Sequence, residues 1–241
     1  TKMSIYLFQT ISLLNHPASS VKKEDILNIY DNLSLSSSEE FEELWQTSVT
    51  ATEDALTMLE NLRDGFGVKK ETEVPFSSMI PVLAALLHSA SKKENKADCY
   101  NKITQWYWSA VFSNAYSSAA ESQMTADYID LNLWFEDDAQ IPRVVLEARR
   151  DFGSLDLKSI SSASNAAYKG VHSLVALVGA SDFQNILSLE LSRENDKDHV
   201  FPKATFSDQK NIESVVNMTW LSDATNNRKR AKKPSQYIPE F

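Results

Sequence analysis

Apolar side chains recur every three to four residues through most of the first 180 positions, and glycine occurs only five times in the whole 241-residue chain. That spacing draws an apolar stripe along one side of a helix and leaves little scope for strands. Ser37 followed by Glu40 forms a capping-box pattern, and Gly65 supplies a stop. Between them Phe41, Leu44, Trp45, Val49, Leu56, Leu59 and Leu62 keep helical register. Pro75 and the serines after it open a second long helix through Leu87. Further helices are expected over residues 97–116, 122–135 and 159–178, with one more whose first turn suits Pro142. Residues 3–14 are apolar but short, and lack a basic flank and a small-residue cleavage site, so they read as a buried helix and not a signal peptide.

The character changes after Gly179. Residues 186–191 and 215–221 are β-branched or aromatic in part and read as strands, and residues 223–233 read as a short helix opened by an Asp or Thr cap. The expected architecture is mainly α: a large α-helical domain over residues 1–180, then a small strand–loop–strand–helix module over 181–241. So few elements in so short a module cannot bury much of a core, so it must lean on the helical part or on a metal.

The formal net charge is −9, which argues against a nucleic-acid partner until its distribution is considered. Residues 191–241 hold nine Lys and Arg against seven Asp and Glu, while the other 190 residues hold fifteen against twenty-six. The basic excess is concentrated in Arg228, Lys229, Arg230, Lys232 and Lys233, a cluster able to hold phosphates beside an acidic remainder. Read blandly, the same cluster is a solvated tail. One cysteine, Cys99, excludes an internal disulfide framework and a cysteine-rich zinc site, and fits a reducing cytoplasm. No apolar run reaches the roughly 20 residues that span a bilayer, so no membrane partner is expected. The first residue is not Met and the sequence stops abruptly at Phe241, so the chain reads as part of a longer protein.

The chemistry-bearing stretch is Asp198-His199-Val200-Phe201-Pro202-Lys203, followed by Asn217, Asn226 and Lys229. Hydrolysis of a phosphodiester needs a group that takes a proton from water and a cation that offsets charge on the phosphate. An imidazole such as His199 suits the first task. Asp198 precedes it, and in an extended strand neighbouring side chains point to opposite faces, so carboxylate and imidazole are expected to serve different sides. Asp198 and the amide oxygen of Asn226 suit a hard ion that keeps most of its water, Mg²⁺ first and Mn²⁺ second.

These residues resemble the HNH (His-Me finger, ββα-metal) nuclease superfamily, and within it the C-terminal part of GmrSD-type restriction endonucleases, which cut modified phage DNA. The string Trp106-Tyr107-Trp108-Ser109-Ala110-Val111-Phe112 resembles the middle region of the same proteins. The resemblance implies His199 as general base, Asp198 and Asn226 as ligands of one divalent ion, Asn217 as a brace of the loop between the strands, and Lys229 near the phosphate or bracing the metal helix. Asn227 adjoins Asn226, but the spacing from Asn217 and Lys229 favours Asn226. Lys203, Arg228, Arg230, Lys232 and Lys233 are expected to contact DNA phosphates. An N-terminal ParB-like, nucleotide-dependent domain is implied upstream. This chain holds no Gly-rich Lys-Ser/Thr phosphate loop, so NTP hydrolysis is not assigned to it. The expected function is metal-dependent endonucleolytic cleavage or nicking of DNA, as the effector of an anti-phage, modification-dependent system. Two alternatives stand beside it: a helical module that docks a partner or senses modified DNA while the nuclease fold only binds, and an RNA-cutting toxin with the same finger.

The remaining candidates have plainer readings. His88 and His172 sit in apolar helical stretches and read as packed or surface histidines. His16 precedes Pro17 without a ligand-spaced partner. Trp106, Tyr107 and Trp108 read as core before base-stacking residues. Glu136-Asp137-Asp138 reads as a solvated helix end.

Overall fold

The structure is a computed structural model that describes residues 2–15, 21–29, 33, 37–179, 182–183 and 196–241. It is mainly helical. The helices are α1 (Lys2–Asn15), α2 (Lys23–Ile26), α3 (Ser38–Glu60), α4 (Met79–Ser91), α5 (Lys96–Phe112), α6 (Ala120–Glu136), α7 (Arg143–Asp151) and α8 (Ala166–Leu177). Then come β1 (Asp196–His199), β2 (Met218–Leu221), α9 (Asp223–Lys229) and α10 (Pro234–Tyr237). Among the described residues the two strands form one antiparallel sheet, and no helix is long and apolar enough to cross a membrane. The strand expected over residues 186–191, the composition change near residue 180 and His16 lie outside the described residues.

The chain divides into two compact units. The first comprises Thr1–Met58 and Phe76–Gly153. Its centre is α4, which packs against α1, α5 and α6 while α5 also packs against α7. Ten of the thirteen α4 residues are buried, from Met79 to Ala90, because its sequence is apolar on nearly every side. Ile11, Leu13, Val82, Leu83, Leu86, Ile103, Trp106, Met124 and Leu131 close the core. The Ser37 hydroxyl accepts from the Glu40 backbone N–H at 3.3 Å, as the capping pattern predicts. Trp106 and Tyr107 are buried, and Trp108 stacks on Phe112 with ring centroids 6.0 Å apart, so this aromatic run is packing material. The acidic helix end is held by lysines: Lys93 pairs with Glu136, and Lys102 with Asp138 at 2.6 Å.

The second unit comprises Leu59–Pro75 and Ser154–Phe241. It therefore starts earlier than the change in composition and borrows α8 and the segment after α3. The packing gives the reason. The backbone N–H of Val215 donates to Ile160 O at 2.7 Å, the Ser214 hydroxyl to Leu157 O at 3.2 Å, and the Lys169 ammonium to Val74 O at 2.9 Å. Gly67 has φ 68°, and a Cβ there would lie 2.7 Å from Ser173 O, so only glycine lets this segment lie against α8.

Several boundaries differ from the sequence reading: the helix expected over residues 159–178 begins only at Ala166, capped by the Asn165 side chain, and the one expected over 97–116 ends at Phe112. Strand β2 begins at Met218, because residues Val215–Asn217 form a 3-10 turn in which the Ser214 hydroxyl accepts from the Val216 N–H. Helix α9 ends at Lys229, because Arg230 takes φ 48°, outside helical space.

Candidate functional site

The site is built on β1, β2 and α9. The strand register sets Lys197 opposite Trp220, Asp198 opposite Thr219 and His199 opposite Met218. Directly opposed residues share a sheet face, so Lys197 and Trp220 lie on one face and Asp198 and Thr219 on the other. The first face rests on α8. Trp220 donates its indole N–H to His172 O at 3.1 Å, and its ring lies 5.7 Å from the buried His172 ring. Lys197 pairs with Glu73 at 2.6 Å and lies over the rings of Tyr168 and Trp220, at 5.0 and 5.6 Å from their centroids. This is the support the small module needs, and it comes from helix and aromatic packing.

At Asp198, α9 supplies Lys229. Ser222 caps the helix, its hydroxyl accepting from the Thr225 backbone N–H at 3.2 Å. The cap is thus Ser222, one residue before the expected Asp. Lys229 is only 1 % exposed. Its ammonium donates to Asp198 Oδ2 at 3.1 Å and to the His199 carbonyl at 2.6 Å. It therefore ties the helix to the strand.

Asp198 and His199 do not separate onto independent sides. Asp198 Oδ1 accepts from the backbone N–H of His199 at 2.7 Å and lies 3.3 Å from His199 Nδ1. An Asp side chain is short enough to fold back onto the next backbone N–H, and this local bond overrides the alternation of the strand. Partial burial opposes ionisation of Asp198. The His199 N–H, the Lys229 ammonium and the imidazole together outweigh it and hold the carboxyl below its ordinary value of 3.8. On the far side of the ring, His199 Nε2 lies 3.1 Å from Glu213 Oε2. Lys203 pairs with the same carboxylate, and these two contacts, Lys203 first, hold Glu213 below its ordinary value.

Asn217 ties together the loop that joins the strands. Its amide oxygen accepts from Phe201 N at 2.8 Å, while its NH₂ donates to Phe201 O at 3.1 Å and Ile212 O at 2.8 Å. Its backbone carbonyl accepts from Val200 N at 2.8 Å. The Tyr237 hydroxyl on α10 donates to Val200 O at 2.8 Å, fixing the chain just past His199 from a second direction.

Asn226 lies three residues before Lys229 on α9. Its side chain is half-buried. Among the described residues no group of three or more His, Cys, Asp or Glu is arranged to hold a metal ion. A cation here would have to rest on one ionised carboxylate and neutral oxygens. That donor set fits a hard divalent ion that keeps its water, and it does not fit a tightly caged one.

The expected phosphate-binding side chains meet different surroundings. Lys203 is committed to Glu213. Arg228 donates to Glu240 O at 2.6 Å and lies over the Phe241 ring, and Lys232 pairs with the Glu240 carboxylate at 2.6 Å. Arg230 donates to Asn227 O at 3.1 Å and is exposed, as is Lys233. The cluster is thus partly neutralised by the last residues of the chain.

Three residues of the site escaped the sequence reading. Ser222 carried a signal, a Ser three places before Thr225 at a helix start. Glu213 and Tyr237 carried none, since Glu213 meets His199 from 14 residues away through irregular backbone and Tyr237 meets Val200 from 37 residues away.

No family model matches the chain, and no solved structure matches it. The chain is 34% identical over 147 residues, 58% of its length, to an uncharacterized protein of Methanocaldococcus jannaschii. The match spans 25% of that relative's length.

Proposed function

We propose that this chain is a metal-dependent endonuclease of the HNH type that hydrolyses DNA phosphodiester bonds, and that it serves as the effector part of a modification-dependent, anti-phage restriction system. One observation carries the reading. A strand presents a carboxylate and an imidazole side by side, a second carboxylate stands against the far nitrogen of the ring, and a buried lysine from the following helix locks the strand in place.

In this reading His199 takes the proton of the attacking water at Nδ1. Glu213 holds the other ring nitrogen and so fixes both the tautomer and the orientation of the ring. Asp198 and Asn226 would hold one Mg²⁺ or Mn²⁺, and the ion would neutralise charge on the phosphate and on the departing oxygen. Lys229 keeps Asp198 ionised and in position. Arg230 and Lys233, exposed beside the site, attract the DNA backbone without reading its sequence. The products are expected to carry 5′-phosphate and 3′-hydroxyl ends, and a single site nicks one strand per event.

Relaxation of a supercoiled plasmid tests the reading. The wild-type chain should nick it with Mg²⁺ or Mn²⁺ and not in EDTA, and His199→Ala should nick at least about 100-fold more slowly. Nicking by His199→Ala at the wild-type rate would remove His199 from the reaction. Cleavage of RNA with duplex DNA left intact would replace DNA as the substrate.

A further inference from the structure

An open cleft of about 560 Å³ lies within the loop between β1 and β2. Phe201, Phe206 and Val216 supply its apolar wall, and Gln209, Lys210 and Asn211 its polar rim. Phe201 is 48% exposed and Val216 53% exposed, although both belong to a segment otherwise pinned by Asn217. The two phenyl rings stand edge to face, with centroids 5.5 Å apart. Exposed aromatic and branched side chains held rigidly at the mouth of a cleft keep apolar surface in water at a cost, and such patches mark binding sites.

The position of the cleft narrows what occupies it. Phe201 follows His199 by two residues, so their Cα atoms are within about 7.6 Å of each other. The strand that carries His199 thus leads, two residues on, into the wall of the cleft. The rim is chemically mixed: the amides of Gln209 and Asn211 each donate and accept, as the edge of a nucleobase does, and Lys210 offers a cation for an anionic backbone. A phenyl ring stacks on any base, because every base has a π-face.

We infer that this cleft takes one unstacked nucleobase of the DNA strand, next to the phosphate being cut, between Phe201 and Val216 with its edge toward Gln209 and Asn211. The inference rests on the nuclease reading and adds to it a preferred substrate, a strand locally opened at the cut. Duplex DNA with an unpaired or easily unstacked base is bound in preference to a fully paired duplex, and the cleft is where that preference is set.

The test measures binding, without catalysis. Fluorescence anisotropy in EDTA compares the chain on a labelled paired duplex, on the same duplex with one extra unpaired thymine, and on a thymine single strand. The wild-type protein should bind the bulged duplex about fivefold or more tighter than the paired one. Phe201→Ser and, independently, Val216→Ser should erase that ratio while binding the paired duplex within about twofold of wild type. Both side chains are substantially exposed, so neither change empties a core, and a thermal melt confirms each variant is folded. Equal binding of paired and bulged duplex by wild type, or a ratio that survives both substitutions, overturns the cleft assignment and leaves the nuclease reading standing. Failure to bind any of the three DNAs overturns the cleft assignment, and the plasmid assay with metal decides the nuclease reading.

Discussion

Asp127 in the helical unit and Asp198 in the smaller unit show what two surroundings do to the same side chain. Asp127 is 1 % exposed and is met by neutral donors. The Trp106 indole N–H and the Tyr116 hydroxyl reach Oδ2 at 2.7 and 2.6 Å, and the Gln123 amide reaches Oδ1 at 2.7 Å. Burial pushes its carboxyl above the ordinary value, against the pull of those hydrogen bonds. Asp198 is partly open to solvent and is met by an ammonium and a backbone N–H, which bring its carboxyl below the ordinary value in spite of partial burial. The first arrangement orders a helical core. The second keeps a negative charge available at the surface beside an imidazole. A carboxylate that must accept a cation needs the second.

The sharpest way to break the comparison is to neutralise each carboxylate in turn. Asp198→Asn should reduce plasmid nicking at least about 100-fold, whereas Asp127→Asn should leave it within about twofold and register in stability alone. Equal loss of nicking in both variants would mean that Asp198 acts only through the fold. Their pH dependences should also run in opposite senses. The folded-state value of Asp198 lies below 3.8, so its contribution to stability is present above that pH and is lost as pH falls through it. Asp127 lies above 3.8, so protonation restores stability as the pH falls. Urea melts of the two variants between pH 7 and pH 3 check the signs.

Lys229→Met should come next. It keeps the volume and removes the charge that Asp198 and the His199 carbonyl share. Since Asp198 is partly solvated, the loss should sit near the lower end for a broken buried pair, about 3 kcal/mol, or about 6 °C or more in melting temperature. A melt unchanged from wild type would show that the strand does not depend on this brace.

Glu213→Gln should cost about tenfold in kcat with KM little changed, because the amide still bonds the ring but no longer fixes its tautomer. A change confined to KM would place Glu213 in binding. A separate effect, on stability alone, concerns His172. Burial, helped by the Lys197 charge, depresses it to about 3. Because the unfolded chain protonates this ring first, stability should fall as pH drops below about 6.5, by at most about 1.4 kcal/mol per pH unit. His172→Leu should flatten that slope, and an unchanged slope would assign it to other groups.

What was legible in the sequence follows from the range of each interaction. The helices of both units were legible because contacts at three- and four-residue spacing are local, and the Ser37 cap was legible for the same reason. The helix over residues 3–14 appears as α1, with Gln9 through Leu13 buried. The hydrogen bonds of Asn217 to Phe201 and Ile212 and of Lys229 to Asp198 join residues 5 to 31 positions apart. The pairing of His199 with Glu213 was not legible, because it closes a 14-residue gap through irregular backbone. The Lys197–Glu73 pair spans 124 residues, and no pattern in the sequence pointed to it. Val215 and Val216 read as strand on side-chain type alone, and a hydroxyl at Ser214 turned them into a 3-10 turn.

The account turns on Asp198 holding a cation while His199 does not. Isothermal titration of Mn²⁺ into wild type, Asp198→Asn and His199→Ala measures this directly. The account predicts one binding event in wild type, an event at least about tenfold weaker in Asp198→Asn, and one of nearly wild-type affinity in His199→Ala. Equal affinity in wild type and Asp198→Asn would contradict it.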